Sequence, residues 1–570
     1  MEDNEVNKKE NTEENNEKSK RKTVKELVKN WLKDKHNLFF IGIVILTILI
    51  GGYYFSLTKN QPLWWDESDY LAYAKNLAGY NVDWIVTKDH NSLFSYIVAL
   101  FFILKFSEPL TKFFVEFIPY VLVIVLIYLV AGLMYKDKRI ALISSILFAV
   151  QWTVLFTAMR FQVEIPGLLF GMLSIYVFWK GYEKKEKIFG VINYQWAVPL
   201  AALLSIITYS IRRGYFLFGA FLLLQMIISK NWKNLIKDKY NWIAAIISAI
   251  LIFIVEKFIF SAGIAGVAGG YAHFDRAINF YPLQVFSLFF SNTSFGWASI
   301  LLYLFWLGLA ITFIKAMFSL GHIKKSSNNE LNSDIFVVVS IIVTLLFFIL
   351  ILREPDKANF GEPRWYFPLL FGALICISKA TVTISDYLSK YSSKYAKQIA
   401  AVIIIVLVGF GCYYEISSAN TIIKNKIPSF EGIKQASLYL KDNAKENDII
   451  LSVPEPQTEY YSERNVINPN KWGYWERYNI PFEPFLDAIR NDTNVRYLLV
   501  SFSEPNHPEW MRNSNEDIIK TGAWEIPFMD TKIDFINQVQ DVKQSKTYGD
   551  LTFTLIQVKQ DVFIYEITRT

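Results

Sequence analysis

Cysteine and histidine are scarce in this chain, two of one and five of the other among 570 residues. Cys376 and Cys412 each fall inside an apolar run, so there is no disulfide framework, no Cys-x-x-Cys metal spacing and nothing from which to read a redox compartment. Of the histidines, His90 and His273 are the candidates for metal ligation, although lone loop histidines are more often simply solvated. An internal repeat is lacking as well. So is a cleavable leader: a long polar tail precedes an apolar run too long for a signal h-region, and the first span is expected to stay as an anchor.

What abounds is apolar and aromatic surface. With 53% hydrophobic residues, 16% aromatics and a positive mean hydropathy over the whole length, the composition is that of a polytopic membrane protein with aromatic belts at its interfaces. The net charge of +6 invites a nucleic-acid reading. The cations, however, gather between apolar runs, where the positive-inside rule puts them, and no nucleic-acid partner is expected.

Roughly eleven spans follow, at about 38–57, 113–135, 140–158, 165–179, 196–211, 214–228, 242–261, 295–320, 335–352, 365–378 and 399–416. The run 93–106, about 14 residues, is too short to cross and is read as interfacial or re-entrant. A basic flank at 18–35 sets the N-terminus in the cytoplasm, and the Lys-rich segments 136–139, 180–187, 230–239 and 390–397 then share that side. The expected organisation is a basic, partly disordered tail (1–37), a multi-pass domain of the plasma membrane with an outer loop at 58–112 (38–416), and an extracytoplasmic soluble domain (417–570). In the last, helices near 431–445 and 484–490 alternate with strands at 448–453 and 495–502 before a hairpin at 551–567, which reads as a small α/β domain. Pro454-Glu455-Pro456 and His507-Pro508-Glu509 read as turns.

The most informative stretch is Pro62-Leu63-Trp64-Trp65-Asp66-Glu67-Ser68-Asp69-Tyr70, three carboxylates just past the first span. One reading is structural: Asp66 N-caps a short helix, Glu67 and Asp69 lie in its positive first turn, and Gly79 stops it. The other is chemical. By the span count the outer boundary also carries His90, Arg160, Glu164, Arg212, Arg213, His273, Arg276, Arg353 and Arg364. Arginine forks bind phosphate and a carboxylate can deprotonate a hydroxyl, so this set suits an amphipathic, anionic substrate such as a lipid phosphate carrier. Arg160 and Glu164 could equally form an i,i+4 ion pair, and Arg212-Arg213 could simply snorkel.

Several segments in order resemble the GT-C glycosyltransferases that use polyprenyl-phosphate sugars, the protein O-mannosyltransferase and aminoarabinose transferase group. Asp66-Glu67 resembles the acidic motif after the first span. His90-Asn91-Ser92-Leu93 stands where the group has a His-Pro-Pro-Leu-like sequence, and Met159-Arg160-Phe161-Gln162-Val163-Glu164-Ile165-Pro166 is similar to its Arg…Asp segment, with Glu for Asp. Tyr209-Ser210-Ile211-Arg212-Arg213-Gly214 resembles its cationic turn, and Pro363-Arg364-Trp365-Tyr366-Phe367-Pro368 its Arg-Tyr-x-x-Pro opening of a late span.

The resemblance implies a GT-C-like, α-helical polytopic fold with a C-terminal α/β domain. It further implies inverting transfer of a sugar from a polyprenyl or dolichyl phosphate carrier to an acceptor hydroxyl on the extracytoplasmic face. Asp66 would be the general base and Glu67 its orienting partner. Arg212, Arg213 and Arg364 would hold the departing lipid phosphate, with Asp69, His90, Arg160 and Glu164 as further substrate contacts. The donor would be the lipid-linked sugar, the acceptor a protein, glycan or glycolipid, and a divalent metal is left open. The competing reading is a transporter or lipid flippase, whose sign is broken helices and mid-span charges in two matching halves.

Overall fold

An apolar run of about 20 residues must satisfy its own backbone hydrogen bonds in a bilayer, which a helix alone does within one segment. The computed structural model describes residues 31–85, 92–229, 232–260, 281–290, 300–320, 329–351, 362–391, 394–471, 480–504 and 507–570, and statements of absence below refer to these. His90, His273, Arg276 and Arg353 lie outside them. Each of the eleven expected runs is helical over most of its described residues. Eight helices are long and apolar enough to cross a membrane: α1 (Lys35–Thr58), α4 (Glu108–Met134), α8 (Ala197–Ile211, entered through a short 3-10 turn), α10 (Lys239–Ile254, prolonged to Phe260), α11 (Ile300–Leu320), α12 (Asn329–Ile351), α13 (Phe367–Ser389) and α14 (Ala396–Lys426). The pair α5 (Lys138–Val150) and α6 (Trp152–Ala158), bent by 56°, makes a ninth. The two remaining expected runs form shorter apolar helices, α7 (Glu164–Phe178) and α9 (Leu217–Ser229), so that eight or nine of the eleven expected spans are long enough to cross. The chain is a multi-pass membrane protein.

Helix α3 (Leu93–Ile103) has 11 residues, about 16 Å of rise, and so cannot cross, in line with the sequence reading. It packs beside α2 (Trp65–Leu77), where Phe94 meets Tyr70 edge-on at 5.8 Å.

Small residues let the bundle close. A Cβ on Gly308 of α11 would overlap the Cys376 carbonyl of α13, and one on Gly171 of α7 would lie 2.7 Å from the Phe218 ring of α9, so α11 packs backbone to backbone on α13, and α7 backbone to side chain on α9. At one end of the bundle, ion pairs join the helix ends that carry the cationic turn 136–139. Lys138 pairs with Asp34, Arg139 with Asp386 at 2.7 Å, and Tyr135 donates to Asp334, which also holds Lys379. The acidic motif is at the other end.

Beyond Lys426 and helix α15 (Glu431–Asn443) the chain forms a six-stranded sheet in the order β2-β1-β3-β9-β8-β7 and a three-stranded one of β4 (Ala523–Ile526), β5 (Thr531–Asp534) and β6 (Val539–Asp541). Here β1 is Ile449–Ser452, β2 Val466–Ile467, β3 Val495–Ser501, β7 Ser545–Tyr548, β8 Leu551–Lys559 and β9 Val562–Arg569. Strand β1 is parallel to both its neighbours and the rest pair antiparallel. The segment Pro454-Glu455-Pro456 is no turn but opens a helix, α16 (Glu455–Ser462); a proline in the first turn needs no N–H partner and its φ is already helical. Helix α14 also runs past residue 416 to Lys426.

Candidate active site

Helix α2 starts two residues earlier than the capping reading places it. Trp64, extended at φ −93° and ψ 176°, is the N-cap, and Asp66 and Glu67 lie in the first turn. Both carboxylates therefore sit at the positive end of the helix without capping it, apart from a 3.4 Å bond from the Trp64 N–H to Glu67 Oε2. The helix ends at Leu77, and Gly79 at φ +77° turns the chain away.

The two acidic side chains then part company. Glu67 is fully buried, paired with Arg160 and 3.4 Å from Gln162 Nε2. The Trp64 ring covers the Arg160 guanidinium at 3.6 Å. Asp66 is about one-third exposed and accepts a bond from Arg364 Nη2 at 2.7 Å. Behind it Glu164, the first residue of α7 and wholly buried, is approached by Arg212 Nη2 at 3.4 Å and Arg364 Nε at 3.8 Å. Neither of its oxygens has a hydrogen bond among the described residues. The i,i+4 reading of Arg160 and Glu164 is thus overturned: in the folded chain Arg160 serves Glu67, and Glu164 serves the two arginines of later helices.

These groups gather because six helix ends meet. The C-terminus of α1 leads into α2, α6 ends before Arg160, α7 begins at Glu164, α8 ends before Arg212, and a 3-10 turn at Pro363–Tyr366 carries Arg364 into α13. Burial opposes the charge on Arg212, yet Glu164 more than compensates and its guanidinium stays above the ordinary range; burial pulls Arg160 below that range, partly offset by Glu67. The Tyr70 phenol, buried beside them, is pushed up by desolvation and is a hydrogen-bond donor rather than an anion.

Asp66, Tyr70, Arg212, Arg213 and Arg364 share the mouth of one cavity of about 1300 Å³. Its walls are apolar residues of α7, α8, α9 and α10, among them Phe178, Ala201, Met226 and Ile252. From Arg212 to Val198, both on its lining, is about 20 Å of helix, most of a hydrocarbon core. Arg213 leans toward the α10 side, its guanidinium 4.0 Å from the Phe260 ring. A cationic and carboxylate mouth on a long apolar channel can take a phosphate headgroup with a hydrocarbon tail.

Asp69 is not on this lining; it accepts a 2.6 Å bond from Trp84 Nε1 and ties the following loop to α2. Gln162, which sequence reading passed over, bridges the two halves: its Oε1 takes a bond from Arg364, its Nε2 faces Glu67, and its backbone N–H bonds Glu116 at 2.8 Å. The signal was present, since Gln162 lies between Arg160 and Glu164. For a divalent metal the donors do not converge. Asp66 turns to Arg364, Glu67 to Arg160 and Asp69 to Trp84, and no group of three His, Cys, Asp or Glu among the described residues could hold an ion.

Residues 89–256 match the profile of the dolichyl-phosphate-mannose-protein mannosyltransferase family. No curated protein sequence matches the chain. Among solved structures, ArnT from Cupriavidus metallidurans bound to undecaprenyl phosphate has 8% identity and a TM-score of 0.55, over 93% of this chain and 97% of that one. The oligosaccharyltransferase of Archaeoglobus fulgidus tethered to an acceptor peptide has 12% identity and a TM-score of 0.54, over 83% of this chain and 70% of that one. The same enzyme is also known in complex with zinc and sulfate, with a TM-score of 0.51 over 80% and 67%. The fold is therefore that of the GT-C glycosyltransferases, and the resemblance drawn from the motifs is borne out.

Proposed function

We propose that this protein transfers a sugar from a polyprenyl or dolichyl phosphate carrier to an acceptor hydroxyl on the extracytoplasmic face of the plasma membrane, with inversion at the anomeric carbon. The observation that carries the reading is the shared cavity: two carboxylates, Asp66 and Glu362, and three arginines at the mouth of an apolar channel deep enough for a polyprenyl tail. The family profile and the fold shared with ArnT, which binds undecaprenyl phosphate, support the donor class.

In this mechanism the acceptor oxygen attacks the anomeric carbon and its proton passes to Asp66. A carbon–oxygen bond forms to the acceptor while the bond to the phosphate oxygen breaks, its electron pair leaving with the lipid phosphate. Arg212, Arg213 and Arg364 stabilise the charge that grows there. Arg364 is shared among Asp66, Glu164 and Glu362. A carrier phosphate that recruits it draws it off Asp66, and a carboxylate released from a guanidinium is the stronger base. Glu67, locked under Arg160 and Trp64, orients the turn that presents Asp66. One displacement with one base inverts the centre. No step is routed through a metal.

A transporter would show matched broken helices around a site at mid-depth. Among the described residues there is one break, at Gln151, and the N-terminus it exposes is filled by Glu415, whose Oε2 accepts the Trp152 N–H at 3.0 Å. That arrangement favours a structural bend. The test is Asp66→Asn in membranes given radiolabelled polyprenyl-phosphate mannose as probe, with native membrane lipid-linked sugars and acceptors in a second arm. Transfer should be abolished at unchanged protein level, and turnover near that of the parent protein overturns Asp66 as the base.

A further inference from the structure

The sheet domain touches the acidic motif itself. Leu63 N–H donates to the Tyr461 hydroxyl at 2.9 Å, and the Trp65 indole Nε1 donates to Glu504 Oε2 at 2.7 Å. Further along, Lys75 reaches Glu463 at 2.8 Å and the Tyr460 carbonyl at 2.8 Å, and the Asp83 N–H reaches Glu459 at 2.7 Å. The whole of α2 with its flanks is thereby held by α16 and by the loop after β3. Trp64 and Trp65 divide the work. The first is pinned by Arg160 of the membrane bundle and the second by Glu504 of the sheet domain, so the residue that follows, Asp66, is fixed from both sides.

Glu504 is built for this. It is a carboxylate with no exposed surface, at the edge of the domain core. Its backbone carbonyl accepts His507 Nδ1 at 3.0 Å, while His507 Nε2 takes the Ser501 N–H at 3.4 Å, which sets the tautomer and closes the loop. Arg512, also buried, lies close enough for the Glu504 charge to oppose the lowering that burial imposes on it. Burying a carboxylate costs several kcal/mol unless it is paired, and here its paired state reaches out of its own domain to an indole that is itself about one-third exposed.

We propose that Glu504 is a positioning residue for Asp66, acting through the Trp65 indole, so that the sheet domain sets the geometry of the transfer site instead of only crowning it. This rests on the reading of Asp66 as the base. Truncating either partner lets the first turn of α2 swing, and misplacing a base by about 1 Å can lower a rate on the order of a hundredfold.

The experiment uses the full-length protein in detergent and compares Glu504→Ala, Glu504→Gln, Trp65→Phe, the double variant Trp65→Phe/Glu504→Ala, and Asp66→Asn. Hydrogen exchange over residues 63–69 should be roughly tenfold faster in Glu504→Ala and in Trp65→Phe, no faster still in the double variant, and near the parent rate in Glu504→Gln, whose amide oxygen still accepts the indole N–H. Exchange in the sheet strands should not change, which excludes global loosening. With polyprenyl-phosphate mannose as probe, kcat should fall by about tenfold or more at constant donor KM, again rescued by Glu504→Gln. Unchanged exchange at 63–69, or additive effects in the double variant, overturns the proposal. If Asp66→Asn keeps its turnover while the exchange pattern holds, the reading of Asp66 fails and the clamp stands; if Asp66→Asn is inactive and Glu504→Ala retains full kcat, the clamp has no part in transfer.

Discussion

Arg212 and Arg364 come from helices far apart in the chain and approach the same buried carboxylate, Glu164, from two directions. A fully buried glutamate without hydrogen bonds is expensive to keep charged, and two guanidinium groups are what make it tolerable. The same two groups face the cavity, so Glu164 preorganises them toward a phosphate. Replacing Arg212 with Gln is expected to lower turnover by roughly a hundredfold, the cost typical of losing one charge-stabilising donor, measured by initial rates on a lipid-linked donor. A second residue-scale prediction concerns stability. Burial, reinforced by Arg512, pushes His507 down from 6.5 to about 3. Below pH 6.5 the unfolded chain takes up a proton that the folded domain refuses, so this contribution is complete above that pH and is lost as the pH falls toward 3. Protection factors of β3 and β9 in the intact protein, taken relative to the intrinsic exchange rate at each pH, should therefore fall on acidification, and His507→Asn should flatten that dependence.

At the level of elements, the chief feature is the channel enclosed by α7, α8, α9 and α10. Gly171 lets α7 approach α9, while Ala201 and Ala202 of α8 leave the lumen open where larger side chains would fill it. Ala201→Trp is expected to plug the tail channel without touching the charged mouth. Transfer from a long-chain polyprenyl donor should drop steeply while a short-tail analogue is still used, and equal use of both would mean that the tail does not run there. The helices themselves were legible from runs of apolar residues, as was the shortness of α3. What misled sequence reading at this scale was proline: Pro454-Glu455-Pro456 has the composition of a turn, yet in the first turn of α16 the same residues start a helix. The N-cap of α2 was likewise misassigned, because tryptophan at 64 offers no capping oxygen and only the backbone angles reveal its position.

For the molecule as a whole, the pairing of Asp34 with Lys138 and of Arg139 with Asp386 gathers the cationic turn at the bundle end opposite the acidic motif. On the positive-inside rule we propose that this end faces the cytoplasm. A cysteine at exposed Lys59 should accordingly be labelled by an impermeant thiol reagent applied outside cells, and one at exposed Lys187 should not; the reverse pattern inverts the topology and with it the face on which transfer occurs. The sequence by itself determined the spans, the sheet domain and the candidate residues Asp66, Glu67, Arg160, Glu164, Arg212, Arg213 and Arg364, because hydrophobicity and charge act locally and leave their mark on neighbouring positions. Only the tertiary structure decided who pairs with whom: Arg160 with Glu67, Glu164 between Arg212 and Arg364, Asp69 with Trp84, Glu504 with Trp65. Those choices depend on which helix ends meet, and buried charges accept whichever partner the packing brings within reach.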